Sequence, residues 1–165
     1  MPVTIRHATE KDAALIADLS RQTFYETFAA QNTAADMEKF MQEQFTRAAL
    51  MAEVSAAGNV FLLAILDGEP VGYARLRETE TPVKMELARI YAVAAAIGKG
   101  VGKALMQASV AIAQAQGKQA IWLGVWEHNQ RAIQFYTAWG FEKVGEHDFR
   151  LGNDVQRDWI MQKSL

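Results

Sequence analysis

Three glycines at alternate positions, Gly98, Gly100 and Gly102, separate two apolar patterns of different period. Before them, Lys84 to Val93 (KMELARIYAV) reads as a strand. After them, Val101, Leu105, Ala108, Ile112 and Ala115 recur on one helical face, and Gly117 ends that helix. The first amides of such a helix have no acceptor inside it. They carry partial positive charge from the aligned peptide dipoles and suit an anion. Glycine permits positive φ and lets a ligand approach the backbone. Lys99 and Lys103 add positive charge nearby. A bare strand-to-helix connection would need none of this, so the turn is read as a phosphate site. It is not a Walker loop, because Lys103 is followed by Ala104 rather than Ser or Thr. It is not a Rossmann fingerprint either, because Lys103 stands where the third glycine belongs.

The rest of the chain organises around this unit. Half of its 165 residues are hydrophobic, which supports a real core in one domain spanning residues 1–165. Val3 to His7 opens as a strand, and Thr9 with Asp12 resembles a capping box. Leu15, Ile16, Leu19, Thr23 and Phe24 follow at helical spacing. A second apolar series runs from Phe24 to Phe45, broken near Gln31-Asn32-Thr33, so a second helix is expected from about Thr33. Val60 to Leu66 and Val71 to Arg77 flank Asp67-Gly68 as a hairpin. Ala120 to Trp126 is another strand, and Asn129 starts a short helix closed by Gly140. Phe141 to Arg150 and Val155 to Gln162 look antiparallel across Gly152-Asn153-Asp154. The order implies an α/β fold with a mixed sheet.

Composition removes several chemistries. The net charge of −2 lacks the basic excess of a nucleic-acid binder. With no cysteine, disulfides, thiolate nucleophiles and cysteine-ligated metals are excluded. No pair of histidines has ligand spacing, so no metal site is expected. The N-terminus has early charges and no long apolar run, so neither a signal peptide nor a membrane span is expected. The expectation is a cytoplasmic protein.

Two segments together resemble a known family. The run Arg89-Ile90-Tyr91-Ala92-Val93, followed after four residues by Gly98 to Leu105, looks like motif A of the GNAT N-acetyltransferases. Asn129 to Tyr136, followed by Trp139-Gly140-Phe141, looks like motif B. Phe24 to Phe28, Gln31-Asn32, Ile121 to Glu127 and Trp159-Ile160-Met161 are similar to the PaiA-type branch, described as spermidine/spermine N-acetyltransferases. The resemblance implies the GNAT fold: a mixed, mostly antiparallel sheet of six to seven strands flanked by four helices. It implies acetyl-CoA as cosubstrate and a small amine, first of all a polyamine, as acceptor. Another amine, or a CoA-binding module without activity, are the alternatives. A homodimer is expected by family. One position departs from the pattern: Ile97 stands where the family usually has Arg or Gln.

The resemblance also assigns roles. The backbone of Ile90, Tyr91 and Ala92 would pair with the pantetheine arm as an added strand would. Gly98, Lys99, Gly100, Val101, Gly102 and Lys103 would hold the pyrophosphate. Asn129 would contact the cofactor arm, and it also suits a helix N-cap. Tyr136 would contact the cofactor and protonate the departing thiolate, although its helix face would bury a tyrosine in any case. The acceptor must be neutral to attack. For an amine of pKa ~10.4 that costs about 4.6 kcal/mol at pH 7, so a base or water chain is needed. Glu86 is the candidate base, expected on the same strand face as Ala88, Ile90 and Ala92. Glu26 and Glu127 are weaker candidates, or could bind distal ammonium groups. His7, His128 and His147 look isolated, and the tryptophans look like core or cleft wall.

Overall fold

The structure, a computed structural model, describes residues 2–165. Its strands are β1 (Thr4–His7), β2 (Asn59–Leu66), β3 (Glu69–Glu78), β4 (Lys84–Ala92), β5 (Ala120–Trp126), β6 (Glu142–Leu151) and β7 (Asp154–Ser164). Its helices are α1 (Ala13–Phe28), α2 (Ala34–Glu43), α3 (Arg47–Ser55), α4 (Val101–Ala115) and α5 (Gln130–Ala138). All seven strands join one sheet in the order β1-β2-β3-β4-β5-β7-β6. Among the described residues only β4–β5 is parallel, and a parallel pair needs a crossover, which α4 supplies. The expected β2–β3 hairpin turns through Asp67 at φ 52° and Gly68 at φ 78°, the positive angles a two-residue turn requires.

The expected four helices become five. Thr46 is extended, at φ −72° and ψ 153°, and its side chain accepts from Ala49 N. It therefore caps α3 as a separate helix. Phe45 stays buried just before it. The apolar series continues across the break, which is why periodicity alone did not reveal it.

One face of the sheet packs on α4 and α5, where Leu105 and Met106 are fully buried against Leu62, Ala74 and Leu76. Each such side chain contributes roughly 2 kcal/mol. The other face packs on α1 through Ile16 and Leu19 against Phe61, Leu63 and Tyr73. Phe24, Phe40 and Phe45 extend that layer toward Leu151 of β6.

Two irregularities in β4 shape the centre. Leu76 pairs with Leu87 but Arg75 pairs with Arg89, so Ala88 is an extra residue, a β-bulge. Side chains alternate along a strand, and the bulge resets the alternation. Met85 and Leu87 face α4 before it, and Ile90 and Ala92 face α4 after it. The second irregularity is the short pairing with β5, which ends at Glu86↔Trp122. Beyond that pair β4 continues to Ala92 and β5 to Trp126, with a gap between them.

Candidate active site

The gap opens into a cavity of about 720 Å³. Its lining falls into two sets, one from the glycine turn, α4 and α5 and one from α1, α2 and the β6–β7 hairpin, which we call its two limbs; Ala88–Tyr91 of β4 and Gly124–Trp126 of β5 stand between them. The first limb is walled by Ile90, Tyr91 and Ala92, which keep an unpaired strand edge on the gap. It runs under the glycine turn, where Gly98, Gly100, Val101, Gly102 and Lys103 line it. Asn129 and Tyr136 close it from the α5 side.

Gly98 (φ 86°) and Gly100 (φ 84°) are left-handed, and a Cβ on either would stand in open space. The backbone, rather than crowding, requires glycine there. Gly102 differs from the expectation. It has no positive φ, and a Cβ would meet the Phe135 ring at 3.4 Å. Its smallness lets α4 approach α5. The first helical bond runs from Ala104 N to Gly100 O, so the three preceding amides of α4 lack helical acceptors. Those donors, the open glycine positions and the unpaired β4 edge fit a pyrophosphate with an amide-bearing arm. Lys99 is exposed and does not line the cavity, whereas Lys103 does. Ile97, 42% exposed, lines it and brings no charge.

Asn129 caps α5, its Oδ1 accepting from Ala132 N at 3.3 Å. An Asn carries a second, donor end, which stays free for a ligand. Tyr136 is buried, and burial pushes its phenol well above the usual range with no opposing charge. It keeps its proton at any working pH.

The second limb lies between α1, α2 and the β6–β7 hairpin. Phe28, Trp126 and Phe149 wall it. Phe28 meets Trp126 edge-on at 6.2 Å and Tyr91 at 6.4 Å. A polar chain fixes Phe28: Gln156 Nε2 donates to Asn32 Oδ1 at 2.6 Å, and Asn32 Nδ2 donates to Phe28 O at 2.9 Å. Arg89 reaches this limb but is bound to Glu53 at 2.7 and 3.0 Å and lies over the Phe45 ring at 5.1 Å.

Glu86 is corrected. The bulge places it on the face of Arg89 and Tyr91, not that of Ile90 and Ala92. Its carboxylate accepts from Arg77 Nε at 2.7 Å, and it does not line the cavity. Glu86→Gln is therefore expected to leave kcat close to native, because its carboxylate is engaged by Arg77 and lies outside the cavity wall. Steady-state kinetics check this. Glu26 accepts from Ala94 N at 3.1 Å, capping the short turn Ala94–Ala96, and lines a smaller side pocket. Glu127 follows β5 and is outside the cavity wall.

The sequence reading missed Asp158. It is the one acidic residue lining the cavity among the described residues. It lies on β7 opposite both Trp126 and His147. Burial pushes its carboxyl up, and His147, at 3.6 Å, offsets this only in part. Gly124 makes room for the pair: a Cβ there would meet His147 Cε1 at 3.1 Å. The signal was an acidic residue directly before the apolar run Trp159-Ile160-Met161.

A model of the acetyltransferase (GNAT) family matches residues 21–141. The chain belongs to this family. An uncharacterized N-acetyltransferase from the pepI 3' region of Lactobacillus delbrueckii subsp. lactis is 35% identical over 99% of this chain and 98% of that relative. A spermidine N(1)-acetyltransferase of Thermoplasma acidophilum is 25% identical over 99% of this chain and 98% of its own. Among solved structures, the PaiA N-acetyltransferase of Thermoplasma acidophilum in complex with coenzyme A superposes with TM-score 0.81 at 24% identity, covering both chains fully. The architecture is thus the GNAT fold, and the enzyme is an acetyl-CoA-dependent N-acetyltransferase. Among the described residues of this GNAT enzyme, no group of three or more His, Asp or Glu could hold a metal ion. No described helix is long and apolar enough to cross a membrane.

Proposed function

We propose that the enzyme passes acetyl directly from acetyl-CoA to a primary amine while both are bound. The continuity of the two limbs carries this reading: one suits a pyrophosphate and its arm, the other a small organic body, and they meet at the strand gap. The chain has no cysteine for a thioester intermediate. In this reading the α4 amides and Lys103 hold the pyrophosphate. Ile90, Tyr91 and Ala92 hydrogen-bond the arm through their backbone, and Asn129 offers its amide NH₂. The amine nitrogen bonds to the acetyl carbon, the C–S bond breaks, and Tyr136 donates its hydroxyl proton to the leaving sulfur. With Glu86 bound to Arg77 and outside the cavity, the amine's proton leaves through cavity water or Asp158.

A polyamine is the finer reading. The PaiA-type resemblance and the name of the Thermoplasma relative support it. A homodimer and a cytoplasmic location belong to the same reading; the homodimer rests on the family resemblance. The test is coenzyme A release by purified enzyme with acetyl-CoA and millimolar spermidine, spermine, a lysine peptide, a free peptide N-terminus or an amino-sugar. Release with any of these supports amine acetylation. Tight coenzyme A binding without release for every primary amine tried would make the chain a CoA-binding module.

A further inference from the structure

The second limb has a chemistry of its own. Its walls are aromatic, with Phe28, Trp126 and Phe149 exposed to the cavity. Its one anionic side chain is Asp158. The other charge there is the Arg89 guanidinium, already bound by Glu53. Of the two glutamates expected to suit extra ammonium groups, Glu26 accepts from Ala94 N and lines only the side pocket, and Glu127 lies outside the cavity wall. A second cation reaching deeper would therefore meet aromatic rings and Arg89, not a carboxylate. Rings attract cations only weakly beside the loss of hydration, and Arg89 takes up one face of Phe45. An apolar body meets no such obstacle: it fits among rings held in place by the Gln156–Asn32–Phe28 chain. Asp158 stands beside Gly124, where the two limbs join. An ammonium bound there lies next to the acetyl-transfer point.

Resting on the amine-acetylation reading, and in place of the polyamine that the family resemblance suggests, we infer that the acceptor is a monoamine with an aromatic or comparably bulky apolar body, its single ammonium held by Asp158. The carboxylate is then a binding group that touches substrate. The amine gives up its proton to Asp158 before attack, and the exposed His147, 3.6 Å from that carboxylate, passes the proton to solvent.

The test compares kcat/KM for 2-phenylethylamine, n-hexylamine and spermidine at fixed, saturating acetyl-CoA. Phenylethylamine is expected to exceed spermidine by about tenfold or more, since burying its apolar ring adds binding that a second buried charge subtracts. Asp158→Asn should lower kcat/KM for phenylethylamine about thirtyfold, the weight of a hydrogen bond to a charged group. Its affinity for coenzyme A, measured by calorimetry, should not change, which shows that the variant is folded. Phe149→Leu, which keeps an apolar wall but removes the ring, should reduce the preference for phenylethylamine over hexylamine. Spermidine equal to or better than phenylethylamine overturns the inference and leaves amine acetylation standing. So does an Asp158→Asn enzyme of native kcat/KM with phenylethylamine. No release with these amines or with the peptide and amino-sugar acceptors overturns both.

Discussion

The Tyr136→Phe enzyme is expected to turn over at about one-hundredth of the native rate, the lower end of what a positioned general acid contributes. Its affinity for coenzyme A should stay within about twofold. The phenyl ring still fills the α5 wall of the cavity, beside Phe135 and Phe141, so only the hydroxyl is lost. The buried phenol sits above its ordinary range, which holds its proton but makes it a weaker acid. A thiolate formed in the same cavity is desolvated too and becomes a stronger base, so donor and acceptor remain matched. In the native enzyme the rate should therefore not fall through Tyr136 ionisation as pH rises from 7 to about 10. Stopped-time thiol release gives kcat, and calorimetry gives the affinity. A variant as fast as native would remove Tyr136 from the chemistry.

The second large effect is on stability. Gly152→Ala is expected to cost about 3 kcal/mol and lower Tm by about 10 °C. Gly152 has φ 63°, and a Cβ there would stand 2.6 Å from both Cα and O of Asp36. The β6–β7 turn docks on the start of α2 at this point, with Asn153 N donating to Asp36 Oδ1 at 2.9 Å. Alanine must both adopt left-handed backbone and displace α2. Gly68→Ala separates the two costs, because φ is 78° there with nothing within 4 Å. It should lose only about 1 kcal/mol, the left-handed penalty alone. Thermal unfolding of both variants checks the contrast. Because α2 roofs the acceptor limb with Phe40, Gly152→Ala should also raise KM for the amine more than for acetyl-CoA.

Much of the frame was legible because local signals were strong. Gly98 and Gly100 marked a turn that only glycine makes easily, and Asp67-Gly68 marked a hairpin. Features set by tertiary pairing were not legible. The Ala88 bulge depends on how β3 meets β4, and it alone moved Glu86 to the other face. Thr46 caps a helix, yet nothing nearby interrupts the apolar series. Asp158 and His147 face each other across the expected β6–β7 hairpin, but that register depends on where the chain reverses within Gly152-Asn153-Asp154, and burial of the pair depends on β5 and the cavity.

The position of β7 has a consequence for the order in which the molecule is completed. β5 and β6 are made first but never pair; β7 fills the space between them. The glycine turn, the β4 edge and Tyr136 all precede it in the chain. A growing chain thus holds the parts of the cofactor limb before the strand that brings Asp158 has been made. Until then β5 presents an open edge, a site for mispairing, and closing it is the step that makes the acceptor limb.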